Sequence, residues 1–227
     1  MPDALPQPAW RAFDLEGAAL PQKPAKLQTY QWDSTRLGNR RKVWIYTTGD
    51  SLDPASRPLA VLLDGQFWAQ QMPVWQPLRQ LTQEGTLPQA VYVLIDVVDT
   101  QTRSRELTCN PDFWQAVQEE LLPAVSVLAP YSSNPQTPVV AGQSFGGLSA
   151  LYAGLHWPQC FGLVLSQSGS FWWPRRNKSM QDEHPGESDL LLREVSNGLG
   201  ATSQLKIFME AGSNERLIHQ VNNQMDE

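Results

Sequence analysis

The sequence predicts an α/β fold, a mostly parallel central sheet with helices on both faces. Three observations carry that prediction. Short, near-continuous apolar runs recur along the chain, helix-forming stretches alternate with them, and a G-x-S-x-G sequence stands directly between one such run and an apolar helix. With 227 residues, 41% of them hydrophobic, the chain is long enough for one domain with a sizeable core.

Residues 1–28 carry Pro2, Pro6, Pro8, Pro21 and Pro24, a density that prevents regular helix or central strand, and read as an extended arm or linker ahead of a domain spanning 29–227. Val43 to Tyr46 is β-branched and aromatic, and Leu59 to Leu63 is an apolar run ended by Asp64-Gly65, so both read as strands. Val91–Ile95, Val139–Ala141, Leu163–Leu165 and Leu205–Met209 read the same way, and their continuity implies burial on both faces. Asn110 is placed to cap a helix that starts at Pro111, with Phe113, Val117 and Leu121 at helical spacing and Pro123 set to kink it. Leu148–His156 and Leu190–Val195 read as two more helices, Asp99–Leu107 as a loop after a strand end, and Arg175–Ser188 as a polar surface loop.

Charge and composition exclude several functions. A formal net charge of −6 gives no sequence-independent attraction to nucleic acid or to an anionic membrane. No apolar run approaches the roughly 18–20 residues that span a bilayer, and Asp14 and Glu16 interrupt the first apolar stretch, so it does not read as a signal peptide. Two cysteines, Cys109 and Cys160, make neither a disulfide framework nor a four-ligand metal site, which predicts a cytoplasmic protein without a resident metal or cofactor.

Gly142-Gln143-Ser144-Phe145-Gly146 is the chemically informative segment. A serine hydroxyl is a poor nucleophile. This motif sets it on a sharp strand-to-helix turn, where glycines two before and two after remove side chains that would clash. Ser144 is therefore the candidate nucleophile, and the backbone N–H of Phe145, at the helix start, is a candidate oxyanion donor. The second donor in such a hydrolase comes from the loop after an earlier strand. Asp64-Gly65-Gln66 fits, with Gly65 free to take φ > 0 and turn the Gln66 N–H toward the pocket.

The order nucleophile, acid, histidine places the acid after a later strand. Glu215, past the turn that follows Leu205–Met209, is the first candidate and Glu210 the second. No histidine fits the base. His156 ends the helix that begins at Ser144, about 18 Å away; His184 sits in a polar loop; and His219 is one helical turn from Glu215.

Five segments, RPLAVLLDGQFWA from Arg57, AVYVLIDVVDT from Ala90, FWQAVQEELLP from Phe113, VVAGQSFGGLSALYAGLHWP from Val139 and VLSQSGSFWWP from Val164, resemble the catalytic domain of the enterobactin esterases, within the esterase D group of α/β-hydrolases. The resemblance runs from about Val43 to the C-terminus, including EAG-x-x-E from Glu210. It implies a cytoplasmic serine esterase that opens the trilactone of ferric enterobactin, with Ser144 as nucleophile, Gln66 and Phe145 N–H as oxyanion hole and Glu215 as acid. It also draws attention to Arg103, which would meet a trianionic iron tris-catecholate at the pocket rim. The alternative for Arg103 is a rim arginine paired with Glu106. Trp68, Trp172 and Trp173 follow strand ends on the same predicted edge and are placed to wall a pocket for planar catechols.

Two departures from the family stand out. The separate N-terminal domain is replaced by the proline-rich arm, and the chain stops before the family's last strand and its glycine-glycine-histidine loop. Both lead to the expectation of a fragment or a truncated gene product with weak turnover of its own. Two other functions compete: a carboxylesterase for another acyl substrate, and a siderophore binder without catalysis.

Overall fold

A computed structural model describes residues 26–50, 53, 56–174, 190–215 and 222–225. The arm up to residue 25 and the polar segment Arg175–Ser188 lie outside the described residues.

Seven strands form one sheet in the order β1-β2-β4-β3-β5-β6-β7. Antiparallel pairing joins β1 (Leu27–Ser34) to β2 (Asn39–Thr47), and β2 to β4 (Val91–Ile95). The rest are parallel: β3 (Leu59–Leu62), β5 (Val139–Gln143), β6 (Leu163–Gln167) and β7 (Lys206–Glu210). β1 went unread in the sequence because only Tyr30, Trp32 and Ser34 turn inward while the residues between them face solvent. The central β4 is buried at all five positions, as its unbroken apolar run requires.

Cores lie on both faces of the sheet. Val43, Ile45, Val61, Val93 and Ile95 share one with Phe113, Trp114, Leu148, Leu151 and Leu191. Trp44, Tyr46, Tyr92 and Leu94 share the smaller one with Trp75 and Leu78 of α1 (Trp75–Gln83). The sheet with helices on both faces is the α/β-hydrolase architecture that the sequence predicts. β7 departs from its reading as a doubly buried strand: Ile207 is 43% and Phe208 60% exposed, because among the described residues β7 has a strand neighbour on one side only.

Asn110 caps as expected, its Oδ1 accepting from the N–H groups of Asp112 and Phe113, and α3 (Pro111–Ala116) follows. The helix then widens into a π-helical turn, Val117–Leu121, before α4 (Leu122–Leu128). Pro123 is the cause. It has no N–H to give and its ring would strike the carbonyl of Glu119, so the turn ahead of it opens.

The expected loop after β4 is instead a short helix, α2 (Thr100–Glu106), started by Asp99, whose carboxylate accepts from the Thr102 N–H at 2.7 Å. It has no apolar stripe to betray it, since only Thr102 and Glu106 are buried. α5 (Phe145–His156) packs its whole middle against β5 and β6, and α6 (Leu190–Ser196) follows the undescribed segment. None of the helices is long and apolar enough to cross a membrane among the described residues.

Candidate active site

Ser144 stands between β5 and α5 with φ 59° and ψ −121°, a conformation non-glycine residues avoid, at a cost of about 1–3 kcal/mol. Three backbone hydrogen bonds hold it there. Its N–H donates to the Gln167 carbonyl, and its own carbonyl accepts from Leu148 and Ser170. The glycine before the serine has no room for a side chain: a Cβ on Gly142 would sit 2.4 Å from the Gly146 carbonyl carbon and oxygen. Gly147 is constrained as well, because its Cβ would lie 2.7 Å from the buried Ser166 hydroxyl. The Ser144 Oγ lies 3.2 Å from the Oγ of Ser170, a residue that nothing in the sequence singles out.

The opposite wall is the turn after β3, and its backbone differs from the sequence expectation. The left-handed residue is Asp64, φ 55°, not Gly65. Gly65 is required for a different reason, since a Cβ there would come within 2.6–2.8 Å of the Leu94 and Ile95 backbone. Gly65→Ala is accordingly expected to push the β3 turn off β4 and destabilise the fold by about 1–3 kcal/mol. A urea titration checks this; an unchanged midpoint would mean that the turn has room to give.

Gln66 follows at the head of a π-helical turn, Phe67–Gln71, and its Oε1 accepts from the Val97 N–H at 3.4 Å. The two turns enclose a cavity of about 230 Å³ lined by Asp64, Gln66, Phe67, Trp68, Gln71, Arg103, Gln143 and Ser144. Candidates separated by up to 78 positions in sequence thus converge on one space, with Phe145 beginning the helix behind Ser144.

Arg103 reaches this cavity from α2. Its partner is Asp64 rather than Glu106: Nε and Nη2 donate to Oδ1 and Oδ2 at 2.6 and 2.8 Å. Glu106 is already taken, buried against Arg41 of β2 at 2.7 Å. The aromatic candidates separate. Trp68 lines the cavity, Trp172 packs against the Phe145 ring at 5.8 Å, and Trp173 rests on the main core away from the cavity lining.

Glu215 lies in the loop after β7. Its Oε2 accepts from the Ser168 hydroxyl at 2.6 Å and from the Gly212 N–H at 2.9 Å. Those two donors, the hydroxyl first, hold its carboxyl below the ordinary glutamate range. One loop serves both candidates: Ser168 binds Glu215 while Ser170 touches Ser144, and Asn222 ties down Gly169 between them. Glu210, the second candidate acid, ends β7 and accepts from the Gln167 side chain. His156 is at the far end of α5, its Nε2 3.1 Å from Glu194 Oε2. His184 and His219 lie outside the described residues.

The model of the Esterase family, described as "Putative esterase", matches residues 34–227. The chain is 53% identical over 222 residues to the iron(III) enterobactin esterase of Escherichia coli O6:H1, covering 98% of this chain and 52% of that protein. Among solved structures it resembles the enterobactin esterase of Shigella flexneri determined in the presence of enterobactin, with a TM-score of 0.81 and 51% identity over 100% of this chain and 54% of that one. The ferric enterobactin esterase of Salmonella typhimurium gives a TM-score of 0.82 at 53% identity, over 99% of this chain and 53% of that one. The chain thus spans about half the length of the curated relatives it matches. With a strand-to-helix serine turn, a facing glycine turn and a family match over nearly all of its sheet, the chain belongs to this esterase family.

Proposed function

We propose that this domain is a cytoplasmic serine esterase that hydrolyses the trilactone of ferric enterobactin, so that its iron can be released. The observation that carries the reading is the 53% identity to an iron(III) enterobactin esterase over 222 residues, 98% of the chain. Iron is cargo here, bound by the substrate.

In this reading the Ser144 hydroxyl attacks a lactone carbonyl while a base takes its proton. The carbonyl oxygen becomes an oxyanion between the N–H groups of Gln66 and Phe145. Collapse expels the serine alkoxide of the ring, which regains a proton as the ester opens, and water then hydrolyses the acyl-enzyme. Glu215 would orient and stabilise the histidine that the family resemblance implies as the base moving these protons. Among the described residues His156 cannot fill that role, because Glu194 holds it at the other end of α5. A 230 Å³ cavity is smaller than the roughly 300–1,000 Å³ of a cleft that encloses a drug-sized ligand. It therefore takes one acyl arm, with the rest of the trilactone outside and Trp68 at the wall.

The test is release of dihydroxybenzoylserine oligomers from ferric enterobactin, followed by chromatography beside a panel of small acyl esters. Preference for the siderophore is expected. Equal or better hydrolysis of the simple esters would reassign the substrate, and tight binding with no hydrolysis would favour a binder. In a form of the protein whose triad a histidine completes, Glu215→Gln is expected to lower kcat by about 10²–10⁴-fold with little change in KM. Because Glu215 is held below the ordinary range, its ionised form persists while free glutamate protonates, so the acid limb it contributes falls below that range.

A further inference from the structure

Asp64 lines the same cavity, and nothing in the reaction described above uses it. It sits in a strained left-handed conformation, φ 55°, two residues before Gln66. Its carboxylate forms a two-pronged ion pair with Arg103. That pair is largely shielded, with side-chain exposures of 15% for Asp64 and 24% for Arg103. The carboxylate also closes on α5, since a Cβ on Gly146 would come 3.2 Å from Oδ2. The guanidinium carbon lies 5.7 Å from the Phe145 ring centroid, so Arg103 is held between a carboxylate and an aromatic face.

The fork engages Nε and Nη2. A guanidinium has five N–H donors, so about three remain for a ligand. The pair consequently still donates hydrogen bonds but carries no net charge. We propose that Asp64 is a specificity-determining residue: it offsets the charge of Arg103, so that the cavity recognises an acyl arm by hydrogen-bond geometry and does not hold a polyanion by charge alone. The inference rests on the esterase reading above. Its physical motive is release. A free guanidinium beside a trianionic tris-catecholate would gain Coulomb energy with substrate and anionic products alike, and binding that is uniform along the reaction adds nothing to kcat.

Binding tests this without turnover. Trp68 lines the cavity, so quenching of tryptophan emission reports occupancy. The titrants are ferric enterobactin, a trianion, and the uncharged trilactone with its catechol hydroxyls methylated, each measured at low and high salt. For the near-isosteric Asp64→Asn, we expect the trianion Kd to fall about tenfold and its salt dependence to steepen, with the uncharged ligand within about twofold of wild type. Arg103→Gln should weaken the trianion. In the Asp64→Asn/Arg103→Gln double variant the tightening should vanish, because the unmasked charge is gone.

Weaker binding of both ligands by Asp64→Asn, at an unchanged melting temperature, would overturn the proposal and leave Asp64 as a brace for the β3 turn. If Asp64→Asn melts early, Arg103→Gln against Arg103→Lys decides. Lysine keeps the charge balance with Asp64 but not the planar array of N–H donors, so it should bind the trianion more weakly than wild type. Trianion binding by Arg103→Lys as tight as that of wild type would overturn the proposal, because charge alone would then suffice. Failure of the wild-type protein to bind ferric enterobactin would instead overturn the esterase reading on which this rests.

Discussion

Ser144→Ala, in a form of the protein whose triad a histidine completes as the proposed esterase reading requires, is expected to lower trilactone hydrolysis by about 10⁴-fold or more while leaving the Kd for ferric enterobactin within about twofold. Both halves of that expectation come from the turn. The attacking oxygen has no substitute: Ser170 Oγ, the nearest hydroxyl at 3.2 Å, sits on the loop after β6 and lacks the helix N-terminus behind it. Alanine adds no atom to a position already held by three backbone hydrogen bonds, and the left-handed strain of residue 144 is the same for either side chain. The variant should therefore fold and bind normally. Labelling by a fluorophosphonate, traced to the modified peptide by mass spectrometry, gives a second readout, and Ser144→Ala should show none. Turnover retained above about one part in a hundred, or label on Ser170, would move the nucleophile and with it the oxyanion assignment.

The sequence carried the chemistry of this turn because that chemistry is local. An apolar β5, G-x-S-x-G and a small-residue helix lie within 18 consecutive residues, and the contact that bars a side chain from Gly142 is with Gly146 of the same motif. The same holds for the cap at Asn110 and for Pro123, whose missing N–H shows as the π-helical turn before it. Features set by partners distant in sequence were not legible. Arg103 has Glu106 three residues on, the natural local guess, yet it pairs with Asp64, 39 residues away. Nothing about Glu106 itself forbids the local pair. What forbids it is Arg41, a buried cation on another element with a prior need for that carboxylate. Likewise the sequence suggests backbone freedom for Gly65, whereas its constraint is the approach of β4, which only the assembled sheet reveals.

Glu106→Gln should be the most destabilising of the conservative changes considered, because it leaves Arg41 charged and uncompensated inside the protein. Both side chains are nearly sealed, at 2% exposure for Arg41 and 3% for Glu106. One N–H···O bond of 2.7 Å and a second ion-pair contact at 2.7 Å join them, and Asn39 bonds to both. The guanidinium lies 5.3 Å from the Trp32 ring centroid and 5.7 Å from that of Phe113, so no water can replace the lost carboxylate from either face. Removing one partner of such a pair costs about 3–5 kcal/mol, which for a domain of this size lowers the melting temperature by roughly 6–20 °C. Arg41→Met with Glu106→Leu removes both charges at once and should lose far less, since the pair's attraction largely repays its own desolvation. The pair also bears on the site: α2 carries both Glu106 and Arg103, so loosening one end should disturb the fork that the other makes to Asp64. Thermal melts of the three proteins decide between these terms. Were Glu106→Gln to melt within about 2 °C of wild type, Arg41 would have found another route to solvation, and the anchoring of α2 would have to lie in the Asp99 cap and the Asp64 contact instead.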